Sequence, residues 1–194
     1  MQQDQTTGYS EKLQIEKRYV TVTTKETLLE MVESIEEALI VSLDTETTSL
    51  NPRKGKIIGF SVTTKIGTGF YLPTLKWNSV SQKLEELLIE GKSTHNIAVK
   101  VMEMLKGKKL ICHNASFDLR YIKNYYGVSL LEDLWVDTAL LVHTVQEEGA
   151  GMGVFGLKPL AVSIQEHIGL NVEEAANKEQ VELKESIKKN GGST

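Results

Sequence analysis

A single cysteine, Cys112, is all the sequence offers in 194 residues. An internal disulfide is therefore excluded, and such usage fits a reducing compartment. No apolar run approaches the roughly 20 residues that a membrane-spanning helix needs, so no membrane segment is expected. The opening stretch MQQDQTTGYSEKLQIEKR lacks the apolar centre of a signal peptide, which makes the cytoplasm the expected location. An excess of basic charge is missing too: 22 Lys and Arg face 26 Asp and Glu, for a net charge of -4. That balance argues against a protein that coats phosphates through many cationic contacts. It leaves room for an enzyme that grips a few nucleotides and neutralises phosphate with bound metal ions. With 40% hydrophobic and 25% charged residues, the chain has the composition and length of one ordinary domain with a buried core.

Residues 1–18 are polar and without period, and read as a flexible leader. Thr24 is placed as an N-cap, followed by Leu28, Leu29, Val32, Ile35 and Leu39 at helical spacing. The run from Ala38 to Leu43 reads as a buried strand ending at Asp44, and Asn51-Pro52 with Gly55 as a turn. Lys56 to Thr64 and Gly69 to Leu72 complete an antiparallel three-strand meander. Helices are expected over residues 80–90, 97–105 and 116–126, with short strands at 109–112 and 134–136. Further helices are expected from Asp137 and over residues 157–168. Residues 172–194, rich in Glu, Lys and Gln, read as a charged helical and loop tail. The meander followed by alternating strands and helices predicts a mixed α/β fold flanked by helices.

Two short motifs carry chemistry. In Leu43-Asp44-Thr45-Glu46-Thr47 the acids are two apart, so a strand aims both carboxylates at one side. Like charges so placed repel unless a cation lies between them. Oxygen-only donors suit Mg²⁺ or Mn²⁺ better than zinc. Two solvated acids at a strand end is the plain alternative, and the spacing alone does not exclude it. His113-Asn114-Ala115-Ser116-Phe117-Asp118 follows a buried strand. Asn114 suits an N-cap and Asp118 the next turn on the same face. Alone, this reads as a capped helix with an acid at its positive end.

Taken together, in the order strand, D-x-E, meander, strand, N-x-x-F-D, helix, the motifs resemble the DEDD superfamily of 3'-5' exonucleases. The likeness is to the proofreading domain of family-A, polymerase-I-like DNA polymerases, phage-type members in particular. Asp44, Thr45, Glu46 and Leu50 match its first motif, and Asn114, Phe117 and Asp118 its second. Trp135-Val136-Asp137-Thr138 and Leu157-Lys158-Pro159-Leu160-Ala161 resemble later landmarks. The resemblance implies a ribonuclease H-like fold, with residues 19–171 as the exonuclease domain. It also implies two-metal hydrolysis at the 3' end of single-stranded DNA, with Mg²⁺ or Mn²⁺. Asp44, Glu46 and Asp118 would be the metal-holding catalytic acids. Thr45, Leu50, Asn114 and Phe117 would be substrate contacts, with Leu50 as an apolar wedge against the last base. A polymerase domain, in cis or as a separate chain, would be the partner, in a bacterial or phage-infected cell. A ribonuclease D-like RNA exonuclease and a catalytically inactive nucleic-acid-binding or scaffold domain are the alternatives.

One part of the pattern is missing. The family's third motif, Tyr-x-x-x-Asp, supplies a fourth carboxylate, yet no Asp follows Asp137 and no Tyr follows Tyr126. Truncation of a longer or split polymerase is the expected cause, and weak metal binding with little activity in isolation the expected consequence. Asp137 matches a different landmark and is expected to cap a helix. Cys112 is expected to be a core thiol and His113 a structural hydrogen-bonding group. Lys54, Lys56, Lys106, Lys108 and Lys109 are expected to form a solvated surface.

Overall fold

Alternation along one strand sets the architecture. In Ile40–Thr47 (β2) the side chains of Val41, Leu43 and Thr45 are buried, while Ser42, Asp44 and Glu46 face outward. This is the two-residue period of a strand with one covered face. A computed structural model describes residues 17–145, together with 156, 157 and 160. Residues 17–145 lie within one compact unit, Ile15–Gln146. The expected leader lies almost wholly outside the described residues. So do the charged tail and nearly all of the helix expected at 157–168.

The described residues open with an edge strand, Arg18–Thr21 (β1), then the helix Lys25–Glu37 (α1). Thr24 caps α1 as expected, in a reciprocal capping box with Thr27. Leu39 lies past the helix end and is exposed. β2 pairs antiparallel with Ile57–Thr63 (β3), which pairs antiparallel with Thr68–Pro73 (β4). The expected meander is therefore present. β2 does not end at Asp44 but continues to Thr47, held by pairing of Glu46 with Gly59 and Thr47 with Ile57.

The helix expected over residues 80–90 does not form. Leu75–Asn78 (β5) pairs with Lys83–Glu86 (β6), and Leu88–Ile89 (β7) with Lys92–Ser93 (β8), as two antiparallel hairpins. The Asn78 carboxamide oxygen accepts from the amides of Val80 and Ser81 and winds the chain into a turn. Gln82 and Glu90 then adopt positive φ, which a right-handed helix excludes.

Thr94–Met104 (α2) leads to Lys109–Cys112 (β9), Ala115–Tyr126 (α3), Leu134–Asp137 (β10) and Thr138–Val145 (α4). Gly127 closes α3 at φ 75°, the left-handed cap that glycine takes without a side-chain clash. The six-stranded sheet runs β1-β4-β3-β2-β9-β10, with β1 parallel to β4 and with β9 parallel to both β2 and β10. This mixed α/β sheet flanked by helices is the ribonuclease H-like architecture. Inward residues of the strands, among them Leu43, Phe60, Leu72 and Leu110, join Met31, Ile35, Met102 and Ile122 of the helices in one apolar cluster. Burial of each such side chain stabilises by about 1.5–3 kcal/mol. β2 is thereby fixed at the centre of the sheet, with its outward row of acids in register.

Candidate active site

Asp44 and Glu46 stand on the outward face of β2, opposite Ser61 and Gly59 of β3. Burial raises the Asp44 carboxyl above its ordinary range, and the nearby His113 partly offsets this. Burial also raises Glu46, with repulsion from Asp44 adding to it. Both groups are partly open to water, so screening keeps these effects modest. The pair therefore share one patch, as their spacing predicts.

Asp118 arrives from a different part of the chain. β2 and β9 pair only as far as Ser42 with Ile111, and α3 then carries Asp118 back toward β2. Its Oδ1 accepts from the Thr45 backbone amide at 2.9 Å and from the Thr45 hydroxyl at 2.5 Å. Asp118 is 2% exposed, and burial pushes its carboxyl up to about 6, against the two Thr45 bonds and with Asp44 repelling it. Asp44 thus repels both of the other carboxylates, Glu46 and Asp118.

Thr45 itself is buried, with amide and hydroxyl both engaged by Asp118. Leu50 lies in the loop after β2 and is 88% exposed. Phe117 is partly buried and its ring meets that of Tyr121 at 5.0 Å between centroids. Asn114 occupies the N-cap position of α3, but its side chain forms no capping bond and its backbone is left-handed (φ 63°). Capping is done instead by Asp137. Its carboxylate accepts from the amides of Asn114 and Ala115 at 3.0 and 2.8 Å, and from Ala139 and Leu140 at 3.0 and 3.4 Å. One acid therefore closes the first turns of both α3 and α4, which extends the capping role read from sequence.

His113 Nδ1 lies 2.9 Å from the Thr138 hydroxyl, which donates to the Cys112 carbonyl. Cys112 is a core thiol, pushed up to about 12 by burial and by Asp118, Asp137 and Asp44. Lys108 donates to the carbonyls of Glu36 and Ala38 at the end of α1, and Lys109 lies over the Trp135 ring at 4.9 Å. These two lysines are occupied by the protein itself.

Sequence reasoning missed Tyr121. Its hydroxyl donates to the carbonyls of Ser49 and Asn51 and so ties the Leu50 loop to α3. Gly55 lies beneath that hydroxyl, where any Cβ would collide with it. A buried tyrosine in an apolar helix face was the available signal, because its hydroxyl needs a partner.

The donors suit a hard divalent cation: three carboxylates, each raised chiefly by burial and two of them further by repulsion from Asp44, with no sulfur or imidazole among them. Their enclosure is incomplete. Among the described residues no group of three or more His, Cys, Asp or Glu side chains is gathered closely enough to hold an ion.

An outward D-x-E pair on the first meander strand, joined by an acid from the helix after β9, defines the DEDD, ribonuclease H-like class of nucleases. Residues 19–188 match the 3'-5' exonuclease family, and the chain belongs to it. Among curated proteins it is 30% identical to DNA polymerase I of Borreliella burgdorferi over 114 residues, covering 55% of this chain and 11% of that one. It is also 30% identical to DNA polymerase III subunit epsilon of Rickettsia conorii over 118 residues, covering 54% and 50%. The chain thus spans half or less of the length of these relatives. Among solved structures it superposes on the POL domain of Pol1 from M. smegmatis, with a TM-score of 0.53 and 16% identity over 77% of this chain and 23% of that one. Escherichia coli RNase D gives 0.50 and 17% over 78% and 34%. At these identities the superpositions speak to fold alone. No helix among the described residues is long and apolar enough to cross a membrane.

Proposed function

We propose that this domain removes 3'-terminal nucleotides from single-stranded DNA, as the proofreading exonuclease of a family-A, phage-type DNA polymerase. The observation that carries the reading is the meeting of Asp118 with Thr45, the residue between Asp44 and Glu46, across 73 positions of sequence. Asp44, Glu46 and Asp118 would hold Mg²⁺ or Mn²⁺, and the bound ions would supply charge neutralisation at the scissile phosphate and a more acidic water. Thr45 fixes Asp118 so that its second oxygen stays available. Glu46, raised in pKa, is suited to orient a water and to accept its proton. Leu50 projects from its loop against the terminal base, and Asn114 and Phe117 flank the last nucleotide. Stacking and apolar contact suit any base, as a proofreader requires. The partner is a polymerase domain, in the same chain or another, with the cytoplasm as the setting. Residues 19–171 would form the exonuclease domain, and the charged segment at 172–194 would lie outside its core.

With only three motif acids and no Asp beyond Asp137, the chain by itself is expected to bind Mn²⁺ weakly and to turn over slowly. The test is a Mn²⁺ titration with and without a 3'-labelled single-stranded oligonucleotide, on the wild type and Asp44→Ala. Oligonucleotide affinity that rises with Mn²⁺, and loses that rise in Asp44→Ala, supports the reading. Equal Mn²⁺ response in both proteins sinks it. Preference for an RNA over a DNA 3' end would transfer the same chemistry to an RNA-trimming enzyme.

A further inference from the structure

Glu46 has a neighbour that no motif predicts. It pairs directly with Gly59 of β3, so a side chain at residue 59 would leave the sheet on the same face as Glu46, with its Cβ roughly 5 Å from the Cβ of Glu46. Tyr71 of β4 fills that space. Any Cβ on Gly59 would collide with the Tyr71 hydroxyl, and the ring carbons behind the hydroxyl lie almost as close. Tyr71 pairs with Ser61, and Ser61 pairs with Asp44, so the ring springs from the row that carries the acids. The hydroxyl forms no hydrogen bond with the described residues. Burial and the nearby Glu46 hold the phenol above the ordinary tyrosine range, and a phenol hydroxyl is in any case a donor at neutral pH.

We infer that the Tyr71 hydroxyl is a phosphate contact of this site, donating a hydrogen bond to a non-bridging oxygen of the 3'-terminal nucleotide's phosphate beside Glu46. The inference rests on the proposed function above. A site with three carboxylates is rich in acceptors, and a bound phosphate needs donors. Tyr71 supplies a neutral one from the sheet, on the side away from α3 and Asp118. Gly59 is required because no larger residue leaves room for the hydroxyl. Covering a strand glycine with an aromatic ring is also a way to stabilise a sheet, so the test must separate ring from hydroxyl.

Tyr71→Phe does so, since it keeps the ring over Gly59. Binding of thymidine 5'-monophosphate and of thymidine is measured calorimetrically on the full chain in the presence of Mn²⁺, alongside Mn²⁺ alone and the melting temperature. The expected result is about tenfold weaker binding of the monophosphate, as for loss of a hydrogen bond to a charged group, with thymidine, Mn²⁺ and melting unchanged. Gly59→Ala, whose Cβ displaces both the hydroxyl and the ring behind it, is expected to weaken the monophosphate as well, with a lower melting temperature. Unchanged monophosphate affinity in Tyr71→Phe overturns the inference, as does an equal loss for thymidine. Asp44→Ala separates the two levels of the claim. If wild type and Asp44→Ala show the same Mn²⁺-dependent binding of monophosphate, it is the underlying nuclease reading that fails.

Discussion

The backbone amide and the hydroxyl of Thr45 donate to the same oxygen of Asp118. Two donors on one carboxylate oxygen favour the charged form, yet burial outweighs them and leaves the group at about 6. Thr45 thus fixes where Asp118 sits, while the protein around it makes its charge costly in the absence of a cation.

That cost sets a pH dependence. An unfolded Asp titrates near 3.9, so in the metal-free protein the folded state binds the Asp118 proton more tightly. The contribution of Asp118 to stability is then fully present below about pH 4 and is lost as pH rises through about 6. Asp118→Asn, which keeps an acceptor for Thr45 without the charge, is expected to stabilise the metal-free fold at pH 8 by up to about 3 kcal/mol. The gain should fade toward pH 4. Thermal unfolding in EDTA across this range checks it, and a destabilised Asn variant at pH 8 would contradict the sign.

Asp137 is predicted to matter for folding far more than for metal. Asp137→Ala removes acceptors from the first turns of both α3 and α4. Losing a cap costs about 0.5–2 kcal/mol per helix, so a total of roughly 1–4 kcal/mol is expected in urea unfolding. Mn²⁺ affinity per folded molecule should change little. A collapse of Mn²⁺ binding with stability intact would instead make Asp137 a ligand.

Tyr121→Phe should loosen the loop that bears Leu50. Its hydroxyl serves the Ser49 and Asn51 carbonyls, and removing it leaves these acceptors without that donor at a cost of about 1–3 kcal/mol. Faster proteolytic cleavage between residues 48 and 56, compared at equal temperature below melting, is the expected readout.

Leu50→Ala is predicted to be nearly silent in stability, within about 0.5 kcal/mol, because an exposed side chain has little packing to lose. Affinity for a single-stranded 3' end should fall, and affinity for Mn²⁺ should not. Unaltered oligonucleotide binding would remove Leu50 from the substrate site.

The amino-acid sequence by itself determined the local and periodic features. The spacing of Asp44 and Glu46 is enough to put both on one strand face, because strand geometry is independent of the rest of the fold. The N-cap at Thr24 and the capping role of Asp137 were legible for the same reason: each depends on residues within a turn or on a helix start nearby. The order of the two acidic motifs identified the superfamily. Residues 80–90 were misread because a short run with Leu84, Leu87 and Leu88 fits a helix as well as a strand. The Asn78 turn and the positive φ values at Gln82 and Glu90 decided it, Gln82 in the turn between β5 and β6 and Glu90 in the turn between β7 and β8.

Only the tertiary structure decided what stands around the acids. Asp118 on Thr45, Tyr121 on the Leu50 loop and Tyr71 over Gly59 join residues from separate elements, brought together by strand register and helix packing. A one-residue slip of β3 or β4 would turn their side chains to the other face. Such contacts are set by burial of a whole apolar cluster at once, and no local spacing encodes them.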